Sequence, residues 1–347
     1  MTLLYILAFV LLCIALNQLF KVFELSRDLR GEKLYKTNDS DNKFNGRAMF
    51  LFMLLFFGFF LWQIDAYWYR ILPKSASEHG NKIDALMMAN YWLVILVFFV
   101  VNGFLFYFAW RYHGKKDRKA EYILHNNKLE MLWTVVPAIA LAFIIIFGLK
   151  YWNEIMKRDN DPNPVQIELY AKQFDWTARY PGKDNKFGID DYMQIDGSNP
   201  VGLDTNDVNC HDDILVKNEF HIPKGREVIF TFRSRDIIHS AFMPHFRAQM
   251  NCVPGQITNF RFKPTFTTAE MRKDAHVQKN IDEVNAIRVK RGEDPIEFDY
   301  LLLCNKICGA SHYNMQMKIV VDNEADYDAW LAKQPTRKPT AKATAQK

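Results

Sequence analysis

Four apolar runs, residues 3–20, 49–68, 89–110 and 132–152, each of about 18 to 22 residues and nearly free of charge, constrain this chain more than any other feature. A run of that length crosses a hydrocarbon layer as a helix, since a helix satisfies its own backbone groups where no water can. The first half is therefore expected as a four-helix membrane anchor. The first run has no basic start and no small-residue cleavage site, and more membrane segments follow it, so it is expected to be retained rather than removed as a secretory signal. Basic residues set the orientation. Lys21, Arg27, Arg30, Lys33, Lys36, Lys43 and Arg47 follow the first run, and Arg111, Lys115, Lys116, Arg118, Lys119 and Lys128 follow the third, so both connections belong in the cytoplasm. The connection between the second and third runs carries Arg70, Lys74 and Lys82 and fits the opposite side, with everything after Trp152 in a periplasm-like space. Across 347 residues, 49% hydrophobic content and a net charge of +5 suit a membrane-anchored globular domain better than a wholly soluble one.

After Trp152 the texture changes to short alternating segments, 165–170, 176–180, 227–232, 258–262, 300–304 and 317–321, separated by turn signals such as Asp161-Pro162-Asn163-Pro164 and Pro223-Lys224-Gly225. These predict an all-β Greek-key sandwich. Residues 267–297 break the pattern: they are charged, poor in turns, and carry Ile281, Val284, Ile287 and Val289 at helical intervals, which predicts a helical insertion. Its role stays open between a contact surface for a neighbouring subunit or electron donor and a solvated excursion. Residues 331–347, ending in a run rich in Lys, Thr and Ala, are expected as a disordered basic tail.

The chemistry is concentrated in Cys304-Asn305-Lys306-Ile307-Cys308-Gly309-Ala310-Ser311-His312-Tyr313-Asn314-Met315, between two strand-like runs. Two thiolates, an imidazole and a thioether point to copper, because soft sulfur ligands select it and Met serves zinc, magnesium or calcium poorly. His239, in Asp236-Ile237-Ile238-His239-Ser240 at the end of the 227–232 segment, is the candidate upstream ligand. A Cys304–Cys308 disulfide or a zinc site made with both histidines remain the alternatives. His211, His221, His245 and His276 read as surface or hydrogen-bonded histidines, with His245 near enough to His239 to be watched. Cys210 and Cys252 form an even pair, readable as a disulfide or as buried free thiols, and Cys13 reads as a packing residue.

The Cys-x3-Cys-Gly-x2-His-x2-Met loop, Asp-x2-His-Ser, Val253-Pro254-Gly255 and Glu130-x2-Trp133-Thr134-x2-Pro137 together resemble subunit II of haem-copper cytochrome c oxidase, in that family's order and over residues 83–327. The resemblance implies a cupredoxin-like domain at 160–330, a membrane hairpin at 89–111 and 130–152, and additional membrane helices at 1–20 and 48–70 joined by a cytoplasmic loop at 21–47. It also implies a dinuclear copper centre, CuA: Cys304 and Cys308 bridge, His239 and His312 each bind one copper, Met315 completes one shell and the backbone oxygen of Lys306 the other. Glutamate usually stands at that last position, where its side chain also holds magnesium or manganese. An ammonium offers donors only, so the resemblance does not carry that second metal over.

The same resemblance places Glu130 at the entrance of a proton path into subunit I, beside the plain reading of a carboxylate stabilised at a helix N-terminus. It places Asp236 at the docking site of the donor, and Phe174 where the family's electron-accepting tryptophan usually stands, with Trp176 the next aromatic; passage through Phe174, through Trp176, or from a donor docked differently is left open. The acidic run Asp190, Asp191, Asp204, Asp207, Asp212 and Asp213 is readable as an attractive face for a basic cytochrome c or as a solvated surface. The implied protein is the subunit of a proton-translocating cytochrome-c oxidase through which electrons arrive, multi-pass in a bacterial inner membrane with its copper domain periplasmic. Haems belong to the partner subunit I. Its partners are subunit I, other membrane subunits and a cytochrome c, membrane-bound or held in a supercomplex, with no nucleic acid. A quinol-oxidase subunit II would lack the copper ligands, a copper-storage protein would need no Glu130 segment, and a soluble nitrous oxide reductase has no place for the hairpin.

Overall fold

The computed structural model describes residues 2–29, 38–157 and 162–336, which form two compact units: 1–68 with 92–131, and 69–91 with 132–347. Among the described residues, four helices are long and apolar enough to cross a membrane: α1 (Thr2–Leu29), α2 (Asp39–Tyr67), α3 (Gly80–Arg111) and α4 (Asn127–Met156). Each runs past its apolar stretch, because capping residues and polar turns continue the helix beyond the hydrocarbon-compatible part. Asn38 caps α2 by accepting from the Ser40 amide, and Asn126 caps α4 by accepting from the Leu129 amide while Glu130 reaches back to the Asn126 amide at 3.3 Å. Within α3 the amides of Asn90 and Asn102 donate back to the carbonyls of Leu86 and Phe98, both at 2.8 Å, so these donors are satisfied within the helix itself. In the first unit α2 packs on α3 through phenylalanines. Phe60 stacks on Phe98 and Phe57 meets Phe99 edge-on, each at 4.7 Å between centroids.

The second unit holds two five-stranded sheets packed as a sandwich. One has the order β3-β2-β1-β5-β8, with β1 (Val165–Lys172), β2 (Asp175–Tyr180), β3 (Ile214–Val216), β5 (Val228–Ser234) and β8 (Thr258–Phe262). The other has the order β4-β10-β9-β6-β7, with β4 (Glu219–Pro223), β6 (His239–Met243), β7 (Ala248–Cys252), β9 (Tyr300–Cys304) and β10 (Gln316–Asp322). The pairs β1–β5 and β4–β10 are parallel and the rest antiparallel, so distant parts of the chain meet in each sheet. Inward-facing Ile167, Leu169, Phe220, Ile222, Phe230, Phe232, Leu302 and Ile319 form one core. The fold expected from the alternating segments is the one found. Four strands escaped the pattern, β3, β4, β6 and β7, because they are short or lie against turns that hide their alternation.

One expectation is corrected. The segment after β5 does not carry its strand to His239: β5 stops at Ser234, the chain turns through 235–238, and His239 opens β6 in the opposite sheet. The turn is held by Ser234 donating to the Ile237 carbonyl and by Asp236 accepting from the Ile237 amide at 2.8 Å.

Residues 267–297 fold into α5 (Thr268–Arg272) and α6 (Ala275–Lys290), the first opened by a Thr267/Glu270 capping box and the second capped by Asp274. The tail expected from 331 begins inside a further helix, α7 (Glu324–Lys333), whose Trp330 stacks on His221 at 4.1 Å; residues 337–347 lie outside the described residues. Cys210 and Cys252 are free thiols buried in separate clusters, so the disulfide reading does not hold. Burial pushes Cys252 up to about 12.

The aspartates of the acidic run turn out to be internal fastenings. Fully buried Arg179 donates to Glu168 at 2.8 Å and to Asp213 at 2.6 Å, while Arg233 joins Glu168 to Asp190. Asp191 and Asp204 accept backbone amides of their own loops, whereas Asp207 and Asp212 accept the amides of Ile189 and Asp184 from earlier in the chain. Burying an ion pair gains little over apolar packing, but removing one partner strands the others. Arg179→Ala is expected to destabilise the sandwich by about 3–5 kcal/mol. Denaturant unfolding of the purified chain, followed by near-ultraviolet circular dichroism, checks this, and an unchanged midpoint would show that the network carries no stability.

Candidate metal centre

Strands β9 and β10 pair in antiparallel register, with Leu303 opposite Gln316, and the Cys304 amide donates to the Met315 carbonyl at 3.0 Å. The two bonds close residues 305–314 into a loop. On its other side β9 pairs with β6, placing Cys304 opposite Ala241, and the Asn305 amide donates to the Ser240 carbonyl at 3.0 Å. His239, at the head of β6, is thereby brought beside a loop some sixty-five positions later in the chain.

The donor atoms converge. The Cys304 and Cys308 sulfurs stand 3.8 Å apart, His239 Nδ1 is 3.7 Å from the first and His312 Nδ1 3.5 Å from the second. The Lys306 carbonyl oxygen lies 3.3 Å from the Cys304 sulfur, and Met315 Sδ 3.8 Å from that of Cys308. The nearest ligand atoms of His239, Cys304 and Cys308 all fall within 4.8 Å of one another, a grouping compatible with a copper site. His239, Cys308 and Met315 are buried, whereas the Lys306 side chain points to solvent. The sulfur separation is nearly twice a disulfide bond length, about 2.05 Å, and both thiols are free. A single tetrahedral zinc would leave a thioether and a carbonyl unused, whereas soft donors on both sides of a sulfur pair fit copper.

The surroundings fix this set from outside. Asp236 Oδ1 accepts from His239 Nε2 at 2.8 Å, which leaves Nδ1 facing the sulfurs, while Oδ2 accepts from the Gln173 amide at 2.7 Å. Burial opposes ionisation there, but the Gln173 amide, the His239 ring and the Ile237 amide together hold the Asp236 carboxyl below its usual range. The Gln173 side chain donates to the Cys308 carbonyl at 2.6 Å. Burial first, and then the Cys304 thiol, push Cys308 up to about 11, so a metal entering at neutral pH must displace a proton.

Phe174 is half-buried and lies over Gly309, which has a φ of +135°; a Cβ there would stand 2.8 Å from the Phe174 ring, so only glycine admits the contact. Trp176 is fully buried, edge-on to His239 at 6.3 Å, with its indole N–H directed at the Met315 carbonyl at 3.5 Å. A docked protein cannot touch it directly. Asp236 is engaged by its neighbours at both oxygens. His245 is not in the cluster; its Nδ1 lies 2.9 Å from the Lys74 carbonyl oxygen. Glu130 stands in the first turn of α4 as a cap. Sequence reading missed Ile307 and Tyr313, which are 88% and 87% exposed on the loop itself. Their signal was available: apolar side chains in a ligand loop at positions that are not ligands.

A family profile described as the transmembrane domain of cytochrome C oxidase subunit II matches residues 65–151. The alternative cytochrome c oxidase subunit 2 of Bradyrhizobium diazoefficiens is 30% identical over 287 residues, covering 82% of this chain and 91% of that protein. Cytochrome c oxidase subunit 2 of Cereibacter sphaeroides is 25% identical over 273 residues, covering 74% and 77%. Among solved structures, the periplasmic domain of a cytochrome oxidase subunit II from Bradyrhizobium japonicum aligns with a TM-score of 0.31 at 18% identity, covering 51% of this chain and 95% of that one.

Asp236→Asn keeps the shape of the His239 partner but removes its charge. Copper affinity, measured by competition with a chromogenic chelator, is expected to fall about 10- to 100-fold. In the unsubstituted protein the apparent affinity is expected to rise with pH through the neutral range, because Cys308 must lose its proton to bind. A pH-independent affinity would show that this thiol is already ionised.

Proposed function

This chain belongs to the cytochrome c oxidase subunit II family, and from that membership we propose that it is the subunit through which electrons reach a respiratory terminal oxidase. The observation that carries the reading is the convergence of His239, Cys304, Lys306, Cys308, His312 and Met315 around one pair of thiols. When bound, a thiolate-bridged copper pair accepts and releases one electron at a time. In this reading Cys304, Cys308, His239, His312, Met315 and the Lys306 carbonyl would hold the copper. The protein's own contribution is rigidity. Asp236 holds the His239 ring, Gln173 holds the Cys308 carbonyl and Trp176 closes the site from within, so little has to move when the charge changes.

Electrons arrive from a cytochrome c and leave for haem a of a separate subunit I, where dioxygen becomes water with proton translocation. Phe174 with the exposed Ile307 and Tyr313 is the surface that a donor would cover, since aromatic and aliphatic contacts exclude water over the shortest route to the sulfurs. Lys306 gives no carboxylate for a magnesium or manganese ion, so no second metal is assigned. Glu130 serves as the mouth of a proton path in addition to capping α4. In this reading the β-domain lies on the periplasmic side of a bacterial inner membrane, which the distribution of basic residues over the connections supports. The remaining alternative, a membrane-tethered copper store, would hold copper but exchange no electrons with a cytochrome.

Copper-loaded full-length protein is expected to contain two copper ions per chain and to show an electron paramagnetic resonance spectrum of one unpaired electron shared by both nuclei. It is also expected to accept electrons rapidly from reduced cytochrome c. Cys308→Ser should abolish the shared spectrum and reduce electron acceptance to background. A spectrum from one localised copper would sink the bridged centre, and a shared spectrum without electron acceptance would favour the store.

A further inference from the structure

Helix α6 interrupts the sandwich pattern between β8 and β9, and the sandwich core accounts only for its inward side, through Val277 and Ile281. Another of its faces is taken by the short connection between membrane helices α2 and α3. Tyr69 donates to Glu283 at 2.9 Å, Arg70 pairs with the same carboxylate, and Lys279 lies 4.1 Å over the Tyr69 ring. His276 meets that ring edge-on at 6.4 Å, and Lys74 pairs with Asp274 at the head of the helix. Tyr69 follows the end of α2 by two positions. A residue so close to a membrane span is confined to the headgroup layer, and whatever grips it is confined there too.

The gripping face does not end at Glu283. At about 100° per residue, Ile287 and Lys290 fall within about 40° of Glu283, one and two turns further along, whereas Val289 is turned about 120° away. Ile287 is 53% exposed, and Ile71 in the gripped connection is 40% exposed. Lys290 and Arg291 have no carboxylate partner among the described residues. An apolar residue flanked by unpaired cations, continuing a face already fixed at membrane level, has the chemistry of a helix lying on an anionic lipid surface.

We propose that α6 is an interfacial membrane helix, its Ile287 lodged at the headgroup boundary and Lys290 and Arg291 set against acidic phospholipid. The insertion then serves as a foot that steadies the β-domain on the bilayer, independently of what the metal centre does.

The test places Ile287→Cys and, separately, Val289→Cys in a full-length Cys13→Ser chain with copper bound at the thiol pair. Each is labelled with bimane in vesicles of phosphatidylcholine with and without phosphatidylglycerol. Lipid brominated near the headgroup is expected to quench the label at 287 several-fold more than at 289, with aqueous iodide showing the reverse preference. Phosphatidylglycerol is expected to widen the difference, and Lys290→Glu with Arg291→Glu to narrow it. The copper spectrum, unchanged in every variant, shows that folding is intact. Equal iodide access at both positions would overturn the proposal. Protection of position 287 from both quenchers would overturn it as well, since the face would then be covered by protein.

Discussion

Two thiols held 3.8 Å apart with no bond between them are the constraint on which the β-domain is organised. Two sulfurs that close, once ionised, repel each other strongly in a buried place and are tolerable only beside compensating positive charge. Each structural choice around them keeps the pair close without letting it collapse into a disulfide. Cys304 is fixed as the last residue of β9, between β6 and β10, and Cys308 is fixed through its carbonyl by Gln173 from the opposite sheet. The same residue's amide bonds to Asp236, which aims His239, so one loop between β1 and β2 controls both the sulfur loop and the upstream imidazole. The site is therefore a property of the sandwich as a whole, since its parts come from both sheets.

The ligand loop was legible in the sequence because all its information is local. Spacing within residues 304–315 decides which side chains meet, and the two strands on either side only have to pair. The four membrane helices were legible for a similar reason, since length and apolarity suffice. The placement of His239 was legible as a residue but not as a position: periodicity cannot show that β5 ends at Ser234 and that the chain crosses to the other sheet before β6, because the crossing is made by side-chain bonds of Ser234 and Asp236.

Charge misled more than apolarity did. The aspartates between 190 and 213 look like a field directed at a partner, yet Asp213 and Asp190 are joined to Arg179 and Arg233, and the others accept backbone amides of their own turns or of earlier segments. A count of acidic residues cannot separate a carboxylate that faces water from one that closes a loop. Nor does sequence give the depth of an aromatic beside the candidate site: the alternation of β2 turns Trp176 inward, and Phe174, which precedes that strand, is left at the loop. The lysine at 306 is intelligible once its role is split, because the backbone oxygen beside the sulfur is indifferent to the side chain that points into water.

Strand β6 joins the two demands on this domain. At its head stands His239; directly after its tail come Pro244, His245, Phe246 and Arg247, and these hold the connection that leads into α3. The His245 carbonyl accepts from the Ala76 amide at 2.7 Å, Ser77 donates to the Phe246 carbonyl at 2.7 Å, and Arg247 binds Asp84 in the first turns of α3 at 2.6 Å. Five strand residues span about 17 Å, and a strand paired on both sides cannot stretch or slip by one residue without turning His239 away from the sulfurs. The distance of His239 from the start of α3 is thus set by the length of one strand. The imidazole and the first turns of α3 are, in this sense, fastened to the two ends of a single element.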